Sequence, residues 1–110
     1  MEISRVILFV RDVKKVAMFY KNVFDLRLIS DINSDWIELN AGGCNIAFHK
    51  TKEISKNKTK IVFVTSDVLA TKNLIEEKGI KLGKINSING INLCNGKDPE
   101  GNIFQISDRI

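Results

Sequence analysis

Residues 60–82 read KIVFVTSDVLATKNLIEEKGIKL, and they repeat the grammar of residues 2–24, EISRVILFVRDVKKVAMFYKNVF. Each stretch holds a short run rich in β-branched and other apolar residues, then an aspartate, then apolar residues at helical spacing. Asp67 lies 55 residues after Asp12, half of the 110-residue chain, and at the same offset Val6 matches Ile61 and Leu8 matches Phe63. An aspartate in this place caps a helix, because its carboxylate accepts from free amides of the first turn. In the first copy Val13, Val16, Ala17, Tyr20 and Phe24 predict one buried stripe. In the second copy Gly79 marks the C-terminal stop.

Working outward, each helix is followed by three short strand candidates. After the first come LRLISDI (26–32), DWIELNA (35–41) and CNIAFHK (44–50), with turns at Asn33-Ser34 and Gly42-Gly43. After the second come IKLGKIN (80–86), GINLCN (90–95) and NIFQIS (102–107). Asp98-Pro99-Glu100-Gly101 suits a type I turn that launches the last strand, with Asp first, Pro second and Gly fourth. The order is βαβββ twice. A two-copy repeat of this length predicts a pseudo-symmetric α+β domain over 1–110, with modules 1–50 and 59–110. The polar segment 51–58, inside KTKEISKNKTK (50–60), reads as the surface linker between them.

Composition bounds the function. The chain is 44% hydrophobic and 27% charged, ordinary for a soluble globule. No apolar run approaches the ~20 residues of a membrane span, and the opening MEISRVILFVRD reads as a first strand and not as a secretory leader. Two cysteines, Cys44 and Cys94, have no metal-binding spacing, which fits a reduced, cytoplasmic protein. They read as small buried hydrophobes. The net charge of +4 is spread thinly over both halves. The one basic cluster, Lys50–Lys60, has no interleaved aromatic residue, so neither a nucleic-acid partner nor a membrane partner is expected.

Three pieces, RVILFVRDVKKVAMFY, WIELNAGGCNIAFHK and DPEGNIFQI, taken in order, resemble the vicinal oxygen chelate superfamily. That group includes glyoxalase I, bleomycin-resistance proteins, fosfomycin-resistance enzymes and extradiol dioxygenases. The resemblance implies that each βαβββ module curls into a half-barrel, that two modules form a cleft, and that the protein is a homodimer. Modules could be exchanged between chains through the Lys50–Lys60 linker. In metal-using relatives four inward-facing residues, usually His or Glu, hold one divalent ion. The matching positions here are Arg5, Ala47, Lys60 and Gln105. Arg and Lys carry donors only, Ala offers nothing, and Gln offers one neutral oxygen. Each cation 4–6 Å from a divalent ion would oppose it by a few kcal/mol, taking an effective dielectric near ~20. No metal and no cofactor is therefore expected, and Gln105 reads as the remnant of a ligand site or as a hydrogen-bonding group.

Strand alternation puts Arg5, Ile7 and Phe9 on the cleft face and Val6, Leu8 and Val10 under the helix. Lys60, Val62 and Val64 face the cleft from the second module. Trp36 and Glu38 share a face, as do Asn45, Ala47 and His49. The expected ligand-binding set is Arg5, Phe9, Trp36, Glu38, Ala47, His49, Lys60 and Gln105: apolar walls with a few polar groups. Its two cations favour an anionic or carbonyl-rich ligand. Simpler roles compete: Trp36 in a core or dimer interface, Arg5 paired with Glu38 or Glu2, Lys60 as a solvated strand end, His49 on the surface. No nucleophile–base pair is present. The leading expectation is a metal-free small-molecule binder of the sequestration or resistance type. The alternatives are a divergent metal-dependent lyase, isomerase or dioxygenase of the same superfamily, and a subunit that acts through its interface.

Overall fold

A computed structural model describes residues 1–32, 34–53 and 59–109. The order is β1 (Arg5–Val10), α1 (Val13–Phe24), β2 (Arg27–Leu28), β3 (Trp36–Asn40), β4 (Asn45–Lys50), then β5 (Ile61–Val64), α2 (Val68–Glu77), β6 (Asn86–Ile88), β7 (Ile91–Lys97), β8 (Ile103–Ser107). The chain divides into two compact units, Met1–Ser55 and Lys56–Ile110. The expected turn residue Asn33 and residues 54–58 of the expected linker lie outside the described residues.

The two units share one plan. The first has a four-stranded sheet in the order β1-β4-β3-β2, the second one in the order β5-β8-β7-β6. In each, the opening strand runs parallel to the last, and the remaining pairs are antiparallel. Both helices start on the expected caps. Asp12 accepts from the Lys15 amide at 3.1 Å and Asp67 from the Ala70 amide at 2.9 Å.

Alternation decides what each sheet buries. On the helix side of the first sheet, Leu8, Val10, Ile37, Leu39, Ile46 and Phe48 are buried against Val13, Val16, Ala17, Tyr20 and Val23 of α1. Tyr20 stacks on Phe48 with ring centroids 5.3 Å apart. Phe24, expected in the stripe, is only half-buried, and Val23 takes the deeper position. The second core is smaller and centres on Val68, Ile75, Leu82, Cys94, Phe104 and Ile106. Cys94 is buried as expected, whereas Cys44 is half-buried. Burial pushes the Cys94 thiol pKa up.

The two turns of the second sheet differ in legibility. Asp98 closes the expected turn: its carbonyl accepts from Gly101 at 2.9 Å, and its buried carboxylate takes the Glu100 and Asn102 amides and the Asn102 side chain. Gly101 sits at φ 81°, which suits glycine. The strand expected at 80–86 instead occupies 86–88. Asn89 and Gly90 both have positive φ, as a two-residue type I′ hairpin requires, and they fix Ile88 opposite Ile91. Residues upstream are held otherwise: Gly83 N–H donates to the Asn95 carbonyl at 2.8 Å and Leu82 N–H to the Glu76 carboxylate at 3.3 Å.

Candidate functional site

The face of the first sheet turned away from α1 is built from three adjacent strands in register. Phe9, His49 and Trp36 form one row, Ile7, Ala47 and Glu38 the next, and Arg5, Asn45 and Asn40 the third. Parallel pairing of β1 with β4 and antiparallel pairing of β4 with β3 bring these alternate residues to one side. His49 lies between two aromatic rings, with centroids 5.6 Å from Phe9 and 5.6 Å from Trp36. Phe9 is 53% exposed. Ala47 is fully buried and gives the middle row a floor with no functional group.

Glu38 organises the polar half of this face. Its carboxylate accepts from Arg5 Nε at 3.1 Å, Asn45 Nδ2 at 2.8 Å and Trp36 Nε1 at 3.3 Å. Its own amide donates to Ser30 Oγ at 2.8 Å. Burial pushes the Glu38 carboxyl pKa up. The hydrogen bonds from Asn45, Arg5 and Trp36 and the Arg5 charge outweigh that push, so the group stays below the ordinary value of 4.5. The side chain of Glu38 is 12% exposed and that of Arg5 44%. Arg5 uses only Nε here, and its Nη groups have no partner among the described residues. A carboxylate held by three donors is a poor proton acceptor. The arrangement presents an aromatic platform beside a guanidinium edge, with the acid ionised and committed.

Six of the eight expected residues, Arg5, Phe9, Trp36, Glu38, Ala47 and His49, therefore share one face of the first unit. The other two belong to the second unit. Gln105 donates from Nε2 to Asn95 Oδ1 at 3.0 Å across β8 and β7. Lys60 immediately precedes β5 and is exposed. Gln105 and Ala47 occupy equivalent register positions, opposite Val62 and Ile7 respectively, and Asn95 is the counterpart of Glu38. Asn45 and Ile7 were not in the expected set. The alternation that groups Asn45 with Ala47 and His49, and Ile7 with Arg5 and Phe9, is the signal that could have included them.

At the four positions that hold a divalent ion in the metal-using relatives the sequence resembles, the residues present here do not fit one. Arg5 and Lys60 offer donors only, Ala47 offers no atom, and Gln105, whose Nε2 donates to Asn95, offers one neutral oxygen, too few donors for a divalent site. No group of three His, Cys, Asp or Glu side chains that could hold a metal converges among the described residues.

With this geometry in hand, comparison with known proteins is decisive on family. The family model of the Glyoxalase/Bleomycin resistance protein/Dioxygenase superfamily matches residues 2–106. The chain belongs to that superfamily. No curated protein matches it in sequence. Among solved structures, one similar fold is a glyoxalase/bleomycin resistance protein/dioxygenase family enzyme from Burkholderia phytofirmans PsJN, with TM-score 0.82 and 24% identity, covering 97% of this chain and 98% of that one. Another is lactoylglutathione lyase from Agrobacterium tumefaciens, with TM-score 0.81 and 18% identity over 96% and 91% of the two chains. TioX from Micromonospora sp. ML1 has TM-score 0.80 and 16% identity over the whole of both chains. At these identities the likeness is one of fold. Among the described residues no helix is long and apolar enough to cross a membrane.

Proposed function

We propose that this superfamily member is a metal-free small-molecule binder of the sequestration or resistance type. One observation carries the reading: the aromatic row Phe9–His49–Trp36, with Phe9 and His49 exposed and Trp36 half-buried, lies beside the Arg5–Glu38–Asn45–Trp36 network on the same sheet face. Apolar walls with a few convergent polar groups are the usual make-up of a ligand site. The ligand is a molecule with an aromatic or apolar body that packs on the row. An acceptor group, anionic or carbonyl, reaches the free Nη groups of Arg5.

Trp36 is the sole tryptophan, so its fluorescence reports on this face directly. A panel of aromatic carboxylates and their matching amides is titrated with that readout. Carboxylates should bind more tightly than amides. Arg5→Ala should remove most of the difference, roughly tenfold or more for a charged hydrogen bond of about 1.5–3 kcal/mol. A panel that leaves Trp36 emission unmoved overturns the reading. Calorimetric titration with Ni, Zn, Mn and Co separates it from the enzyme alternative. Tight one-to-one binding of any of these ions would favour a metal-dependent lyase, isomerase or dioxygenase instead.

A further inference from the structure

A concave site lies within the second unit. The loop that follows α2 passes the end of β7 and leaves a groove of about 530 Å³. Ile80, Leu82 and Ile103 supply its apolar lining, and Lys81 and Lys97 its charge. Gly96 forms part of the wall because a side chain cannot stand there: an added Cβ would lie 2.4 Å from Phe104 and 2.5 Å from Leu82. The volume is in the range of small-molecule sites, roughly 300–1,000 Å³. Among the described residues no carboxylate lines the groove. Two acids close by in sequence are committed to backbone amides, Glu76 to Leu82 and Asp98 to Glu100 and Asn102. Neither Lys81 nor Lys97 has an ion-pair partner among the described residues.

Two unneutralised ammonium groups on a groove whose other side chains are apolar apart from Asn95 attract an anion, and the apolar lining selects one with a hydrocarbon body. We propose that this groove binds a small amphipathic anion of the medium-chain carboxylate class, with its tail against Ile80, Leu82 and Ile103 and its carboxylate at Lys81 and Lys97. The groove is built from residues of the second unit alone and the aromatic face from residues of the first, so either reading can fail without the other.

The test is a titration of the full-length protein with sodium octanoate, followed by amide NMR shifts, with octanol as the neutral control. Shifts should concentrate at residues 79–83, 95–97 and 103, and octanoate should bind more tightly than octanol. Lys81→Gln/Lys97→Gln should weaken octanoate roughly threefold to tenfold, as two exposed ion pairs would, while leaving octanol unchanged. Both lysines are exposed, and an unaltered amide spectrum of the variant confirms that it folds. Shifts centred on Phe9, Trp36 and His49, no saturable shifts at all, equal binding of octanol, or an unaffected double variant would each overturn the proposal.

Discussion

At Glu38 three donors converge on one carboxylate, and the consequence can be read from its titration. The hydrogen bonds from Asn45, Arg5 and Trp36, with the Arg5 charge, hold its pKa below 4.5. A carboxyl whose pKa is lowered on folding binds its proton more weakly in the folded than in the unfolded chain. Its contribution is therefore complete above the unfolded pKa and is lost as pH falls through the folded one. Glu38→Gln keeps the shape and removes the charge. It should lower urea-unfolding stability by about 1 kcal/mol at pH 7, since Arg5 is partly solvated. The gap to wild type should close as pH drops below about 4.5, the ordinary range of an unfolded glutamate. A gap that persists unchanged at low pH would show that Glu38 acts through packing and not through charge. The pairing of Arg5 with Glu38 was legible in the sequence as one of two simple options. The part played by Asn45 was not, because an asparagine on a strand carries no sign of which cross-strand acid it serves.

Among the elements, the helices were the most legible, and their caps give the sharpest tests. Asp12 and Asp67 make the same bond to the third residue of their helices. Replacing either by Ala should cost about 1 kcal/mol, with a range of roughly 0.5–2, visible as a lower thermal midpoint. Asp12→Asn or Asp67→Asn should restore most of it, because asparagine caps nearly as well. The strands were legible as short apolar runs bounded by polar or turn residues, as in VILFV and NIAF. β6 was misplaced for a physical reason. IKLGKIN alternates apolar and polar residues, but the hairpin turn at Asn89-Gly90 sets the register and leaves only Asn86–Ile88 to pair. Turn chemistry overrides a weak alternation when the two compete. Gly96 was silent in sequence, since its role depends on Phe104 and Leu82 reaching it from other elements. Gly96→Ala should destabilise by about 1–3 kcal/mol through overpacking, and unchanged urea stability would mean that the Phe104 ring moves aside freely.

For the whole molecule, the half-chain repeat fixed two like units, and the same symmetry leaves each with a surface to account for. Each sheet packs one face on its own helix, and apolar residues on the other face stand exposed. On the first unit that face exposes Ile7 and Phe9, and on the second Val62 and Val64. β1, β2, β5 and β6 are also edge strands of their sheets. Exposed apolar clusters and open edges are the features that native chains cover by association, and a two-fold homodimer is the commonest way. We therefore expect light scattering at micromolar concentration to give roughly twice the 12.4 kDa chain mass. Val62→Asp and Val64→Asp replace residues that are 51% and 62% exposed, so neither should cost the single chain much of its fold. Each should instead shift the population toward monomer, with the helix content by circular dichroism unchanged. A wild-type chain that scatters as a monomer would remove the dimer. Val62 and Val64 would then be left to a different partner.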